Sequence, residues 1–88
     1  MNITDIESYI RQRKVLEIFA RSAFDYIRKY YPDMLEYKEE STYEDFSISE
    51  NWFSIKYYNA KNVSKKSSVI EFSLKEILEG SWKDSLGN

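Results

Sequence analysis

The sequence predicts an α+β fold in which a long N-terminal amphipathic helix packs on a three-stranded antiparallel β-meander, followed by a short C-terminal helix (α-β-β-β-α). Apolar residues recur at helical spacing over residues 4–31. Three later segments alternate apolar and polar residues, and a short apolar segment with helix start and stop signals follows them. At 88 residues, the chain is expected to be one small domain, 1–88.

The segment 4–31 has the pattern of an amphipathic helix. Thr4 and Glu7 match a capping box at its start, and Pro32 ends it because the residue before a proline is pushed out of the helical region. One half of the helical wheel is apolar and the other is charged. The residues predicted to form the apolar half are Val15, Leu16, Phe19, Ala20, Ala23, Tyr26, Ile27, Tyr30 and Tyr31.

The predicted helix is longer than the domain that it belongs to. About 27 residues span roughly 40 Å, whereas a compact domain of this size is roughly 31 Å across. The N-terminal end is expected to protrude, because Asp5, Gln12 and Arg13 interrupt the apolar half there. Its remaining apolar side chains need a cover, so we expect a homodimer through this helix. The residues assigned to the dimer contact are Ile6, Tyr9, Ile10, Leu16 and Phe19.

Three strands are predicted within residues 42–73. The segments 42–49 and 52–59 alternate and are separated by the polar pair Glu50 and Asn51, which predicts a tight hairpin. An exposed loop then leads to a third strand over 67–73. The residues expected to face the helix are Phe46, Ile48, Phe53, Ile55, Tyr57, Ile70 and Phe72.

The C-terminal part is predicted to hold a short helix over 74–79. Ser73 and Glu76 form a second capping-box pattern, and Gly80 is expected to end the helix. The tail 81–88 is polar apart from one large anchor, Trp82.

Composition argues against catalysis. The chain has no cysteine and no histidine, which removes the thiolate metal site and the commonest general base. No phosphate-binding loop or nucleophile motif occurs. Asp45 and Glu71 are expected to flank Lys56 on the outer sheet face, where a cross-strand ion pair is favoured over an acid–base pair. We therefore expect no enzyme, no cofactor and no metal.

Aromatic residues on the outer sheet face, away from the long helix, are the most useful functional signal. Tyrosine and tryptophan are enriched in protein interfaces because they bury a large area at low entropic cost. Stacking between strands on a solvated face is the alternative. The residues assigned to this partner-binding face are Tyr43, Trp52, Lys56, Tyr58 and Val69.

An acidic belt lies between residues 33 and 50, a segment with seven carboxylates and a single basic residue, Lys38. Two interpretations remain open: a mimic of nucleic-acid phosphate that occupies a basic groove, or a solvated connector with a charge-protected edge strand. The belt residues singled out are Glu36, Glu39, Glu40, Glu44 and Asp45.

Binding of single-stranded nucleic acid is a further alternative. Lys61, Lys65 and Lys66 follow the second strand, whose outer face carries aromatics and Lys56. The net charge of −2 leaves little surplus of cations for phosphate, so this alternative ranks below protein binding.

The small size, the Lys/Asn/Glu/Tyr/Ile-rich composition and the lack of catalytic motifs resemble accessory proteins of phages and mobile elements of low-GC bacteria. This resemblance implies a small protein-binding inhibitor of a host defence protein, or alternatively an immunity or antitoxin protein. It covers no motif and assigns no functional residue. The polar N-terminus shows no signal peptide and no membrane span, so we expect a cytoplasmic protein, in the host cell if phage-encoded.

Overall fold

The computed structural model describes residues 3–61 and 66–86. It confirms the α-β-β-β-α order, with short 3₁₀ turns between the helices and strands. The helices and strands are α1 (Ile3–Tyr30), β1 (Ser41–Ile48), β2 (Trp52–Asn59), β3 (Ser68–Ser73) and α2 (Leu74–Glu79); the 3₁₀ turns are Pro32–Met34, Lys38–Glu40 and Trp82–Ser85.

Helix α1 ends where the proline requires it to end. Tyr31 has a φ of −137° and lies outside the helix, and Pro32 begins a 3₁₀ turn. At the other end, α1 begins at Ile3, so Thr4 is a helical residue and not the expected N-cap. The helix therefore includes two residues, Ile3 and Thr4, that precede the first helical position of the capping-box pattern.

One stripe of α1 packs on the sheet and forms the helical side of the core. Ala20, Phe24 and Ile27 are fully buried. Phe24 lies outside the predicted apolar half, whereas Val15, inside it, is 65% exposed. The predicted apolar half is therefore rotated about the helix axis relative to the buried stripe. The cause is that the tyrosines near the end of the helix were counted as core residues, whereas Tyr30 is 57% exposed.

The sheet is an antiparallel meander with the strand order β1-β2-β3. Its inner face is built from directly opposite pairs such as Phe53↔Phe72 and Ile55↔Ile70. The hairpin between β1 and β2 closes with the Ser49 N–H donating to the Trp52 carbonyl at 2.9 Å. The predicted register of buried and exposed residues is therefore confirmed along β2 and β3.

A β-bulge in β1 changes the face on which Tyr43 lies. The pairing with β2 slips between Tyr43 and Asp45, so that Glu44 is the extra residue. Tyr43 therefore faces α1, with its ring 6.3 Å from that of Phe24 and 4.5 Å from the Arg21 guanidinium. The expected place of Tyr43 on the outer face is wrong, because simple alternation counted from Phe46 allows for no inserted residue.

The C-terminal segment closes the core beside β3. Helix α2 is terminated by Gly80, which has a φ of +78° in the left-handed region, and Ser73 is its N-cap residue but its side chain makes no capping hydrogen bond. Trp82 is buried and packs edge-to-face on Phe19 and Phe72. Leu86 is buried as well, although it was assigned to a polar tail.

Candidate functional site

The core stripe of α1 continues past the end of the sheet. Arg13 connects α1 to strand β1 at this point. Its guanidinium lies 4.6 Å from the centre of the Phe46 ring and 3.3 Å from an Asp45 carboxylate oxygen. Ile6, Tyr9 and Ile10 precede it on the same side of the helix and are 46%, 62% and 46% exposed. Their spacing is that of core residues, but no part of the described chain covers them.

The exposed stripe joins the end of β1. Tyr9 and Ile48 line an open groove of about 270 Å³ with Leu16 and Phe46 at its floor. Ile48 was expected to face inward as a core residue, yet it is 43% exposed because the sheet ends beside it. Ile6, Tyr9, Ile10 and Ile48 are called the N-terminal patch below.

Two residues assigned to the dimer contact belong to the protein's own core. The Phe19 ring packs edge-to-face on those of Phe53, at 5.6 Å, and Trp82, at 5.9 Å. Leu16 is half-buried against the same cluster. These two residues are therefore unavailable as principal dimer contacts, whereas Ile6, Tyr9 and Ile10 remain exposed.

The outer sheet face keeps most of its expected residues. Trp52 and Val69 are 48% and 50% exposed, and Tyr58 is half-buried. Trp52 also borders an open groove of about 560 Å³ beside Leu74 and Leu78 of α2. Leu78 is 79% exposed, although the sequence placed it on the apolar side of α2. Leu78 follows Leu74 by four residues, which places both on one side of α2, and this spacing was the sequence signal that could have added Leu78 to the surface beside Trp52.

Most of the acidic belt is tied to basic or hydroxyl groups of the same chain. Glu40 pairs with Lys61 at 3.2 Å, and the Glu36 carboxylate accepts a hydrogen bond from the Ser68 hydroxyl. Asp33 lies 3.8 Å from Lys38. This pairing favours the interpretation of the belt as a connector over that of a phosphate mimic.

Lys56 has a different partner from the expected one. Its ammonium lies 3.1 Å from the Glu44 carboxylate, while Asp45 turns to Arg13 of α1. The Ser67 hydroxyl also donates to Glu44, at 2.9 Å. The hydrogen bonds from Ser67 and Lys56 hold the pKa of Glu44 below its ordinary value. The expected arrangement of Asp45 and Glu71 on either side of Lys56 is thus replaced by an ion pair at the bulge.

The lysines proposed for nucleic acid do not form one free cationic surface. Lys61 is paired with Glu40, and Lys56 with Glu44. Lys66 is exposed and lies two residues before β3, and its carbonyl accepts a hydrogen bond from the Tyr37 hydroxyl at 3.0 Å. Lys65 lies outside the described residues.

Two searches of the described residues 3–61 and 66–86 concern other functional classes. They contain no cluster of three or more acidic side chains that could hold a metal ion. None of their helices is both long enough and apolar enough to cross a membrane. Comparisons of this chain with protein-family models, with curated proteins and with solved structures find no match.

Proposed function

We propose that this protein is a non-enzymatic protein-binding module that forms a homodimer through the N-terminal patch and occupies the surface of another protein. The observation that carries the proposal is the continuation of the core stripe beyond Arg13 as the exposed residues Ile6, Tyr9 and Ile10. Exposed apolar groups that are contiguous mark interaction sites more often than isolated ones do.

A second copy supplies the cover that the stripe lacks. Ten helical residues, from Ile3 to Gln12, extend about 15 Å beyond Arg13. Two such segments can pack at the usual interaxial distance of about 8–10 Å, with their apolar stripes facing each other. Full burial of an isoleucine side chain stabilises by about 1.5–3 kcal/mol, so the stripe can support association once both copies contribute.

The dimer leaves the outer sheet face free for a target. Trp52, Val69 and Leu78 are exposed apolar residues on that side of the molecule. We infer that the module blocks its target by occupying a surface, as an inhibitor encoded by a phage or mobile element would block a host defence protein. Such a protein acts in the cytoplasm of the host cell.

Light scattering on two matched variants tests the dimer. Ile6 and Val15 are exposed apolar residues nine positions apart, which places them on opposite sides of α1. The wild type and Val15→Glu should have twice the monomer mass of 10.6 kDa at micromolar concentration, and Ile6→Glu should have the monomer mass. Circular dichroism should be the same for all three. A monomeric wild type, or a dimer that survives Ile6→Glu, would contradict the proposal.

A further inference from the structure

The two edges of the sheet differ in how their backbone groups are satisfied. Strands β1 and β3 are both edge strands. On β1, the Asp45 carboxylate accepts the N–H of Phe46 at 2.8 Å, and Arg13 approaches the same oxygen. The bulge at Glu44 also interrupts the regular spacing of the strand. A bulge, and an outward N–H that is already bonded to a side chain, keep this edge from pairing with another strand.

Among the described residues, neither feature is found at the edge of β3, which pairs with β2 without a bulge. The Leu74 N–H donates to the Asn51 carbonyl at 2.9 Å, which continues the register in which Phe72 lies opposite Phe53. In an antiparallel ladder every second residue bonds the neighbouring strand. The N–H and C=O groups of Val69 and Glu71 therefore point away from β2.

The residues that carry these outward groups are exposed. Val69 is 50% exposed, and Glu71 is exposed as well. Within residues 3–61 and 66–86, no hydrogen bond to the outward backbone of either residue is formed, and the Glu71 carboxylate has no ion pair. Strand β3 thus offers four free backbone groups beside one aliphatic and one acidic side chain.

We propose that the free edge of β3 binds an extended segment of the target protein by β-strand addition. The segment places an aliphatic residue opposite Val69 and a lysine or arginine opposite Glu71. This inference rests on the proposed function, in which the chain binds another protein, and names the contact and the chemistry of the bound segment.

Charge complementarity favours a segment of another protein over a second copy of β3. A two-fold pairing centred on Ile70 would place Glu71 opposite Val69 of the other copy. A pairing centred on Glu71 would oppose two carboxylates, which is destabilising. A basic residue opposite Glu71 instead forms a favourable cross-strand ion pair.

Fluorescence anisotropy with short labelled peptides tests this contact. The peptides alternate threonine and valine and carry either lysine or glutamate at the centre. The dimeric wild type should bind the lysine peptide about fivefold more tightly, since attraction is exchanged for repulsion. Glu71→Lys should reverse this preference, and the control Glu39→Lys, an exposed site outside the sheet, should leave it unchanged. Val69→Pro should abolish binding of both peptides, because it removes an outward N–H without removing a bond to β2.

Three results would overturn the inference. The wild type could bind neither peptide, Glu71→Lys could fail to reverse the preference, or Val69→Pro could convert the dimer to a monomer, which would assign the edge to a second copy. The Ile6→Glu variant separates this inference from the proposed dimer. If that variant is a monomer and keeps the peptide preference, both proposals are supported. If it is a monomer without the preference, the strand-addition inference fails. If it keeps both the preference and the dimer mass, the proposed dimer fails.

Discussion

Tyr43 and Glu44 show how a single inserted residue redirects side chains. Glu44 occupies the bulge and reaches Lys56 and Ser67, while Tyr43 turns toward α1. Alternation predicted the inward residues of β2 and β3 correctly because those strands pair without interruption. It failed at Tyr43 because the partners of the bulged Glu44 lie on β2 and just before β3, far from Glu44 in sequence.

Replacing Tyr43 with phenylalanine should stabilise the protein. The Tyr43 hydroxyl is buried and has no hydrogen-bond partner among residues 3–61 and 66–86, and an unsatisfied buried polar group costs about 1–3 kcal/mol. The ring contacts with Phe24 and Arg21 are kept by phenylalanine. Urea unfolding at pH 7 should give Tyr43→Phe a higher midpoint and a free energy of unfolding about 1 kcal/mol above that of the wild type. A lower midpoint would mean that the hydroxyl is stabilising.

The advantage of Tyr43→Phe should increase at high pH. Burial, followed by the nearby Glu17 carboxylate, raises the pKa of Tyr43 above 10.0. Because the unfolded chain then loses this proton first, the wild type loses stability as the pH rises from 10.0 through the folded-state pKa. Unfolding of both proteins between pH 8 and 11 checks this, and a constant difference across the range would contradict it.

Glu44 should make acid stability depend on its ion pair. Its pKa is lowered by the hydrogen bonds from Ser67 and Lys56, so its contribution is present above the ordinary value of 4.5 and is lost as the pH falls through the folded-state pKa. In chemical unfolding, the free energy of unfolding of the wild type should therefore exceed that of Glu44→Gln at pH 7, and the two values should converge below pH 4.5. The matched control Glu39→Gln changes an exposed residue outside the sheet, and its free energy of unfolding should equal that of the wild type at pH 7.

At the scale of helices and strands, local signals predicted where both helices end, but not where α1 begins. Pro32 ends α1 because it restricts the backbone of the residue before it, and Gly80 ends α2 because it adopts the left-handed region without a Cβ clash. The direction of the α1 core stripe was predicted less well. Phe24 could be placed only when the position of the sheet beneath the helix was known, since tyrosines on the flank of the helix carry the same apolar signal.

Gly80 provides a test of helix termination. Its φ of +78° is strained for any residue with a Cβ, although there is open space around it. Gly80→Ala should therefore destabilise the protein by about 1–2 kcal/mol. Thermal unfolding measures this, with Lys75→Ala on the exposed side of α2 as the control. Equal melting temperatures for Gly80→Ala and the wild type would show that the backbone can relax at no cost.

At the scale of the whole molecule, the length of α1 determines the shape. Its 28 residues span about 42 Å, and the longest dimension of the molecule is 43 Å. The sequence therefore sufficed to predict exposure of Ile6, Tyr9 and Ile10. It could not separate them from Leu16 and Phe19, because the point at which the sheet ends beneath the helix depends on the bulge and on Trp82.

The account depends on a second copy covering the N-terminal patch, and spin labelling tests this directly. The chain has no cysteine, so a single cysteine introduced at the exposed site Glu7, or at Lys29 near the other end of α1, carries the only label. Double electron–electron resonance should give an intermolecular distance for the Glu7 label that is shorter than that for the Lys29 label. Absence of intermolecular coupling at both sites, together with a mass of 10.6 kDa, would contradict the account.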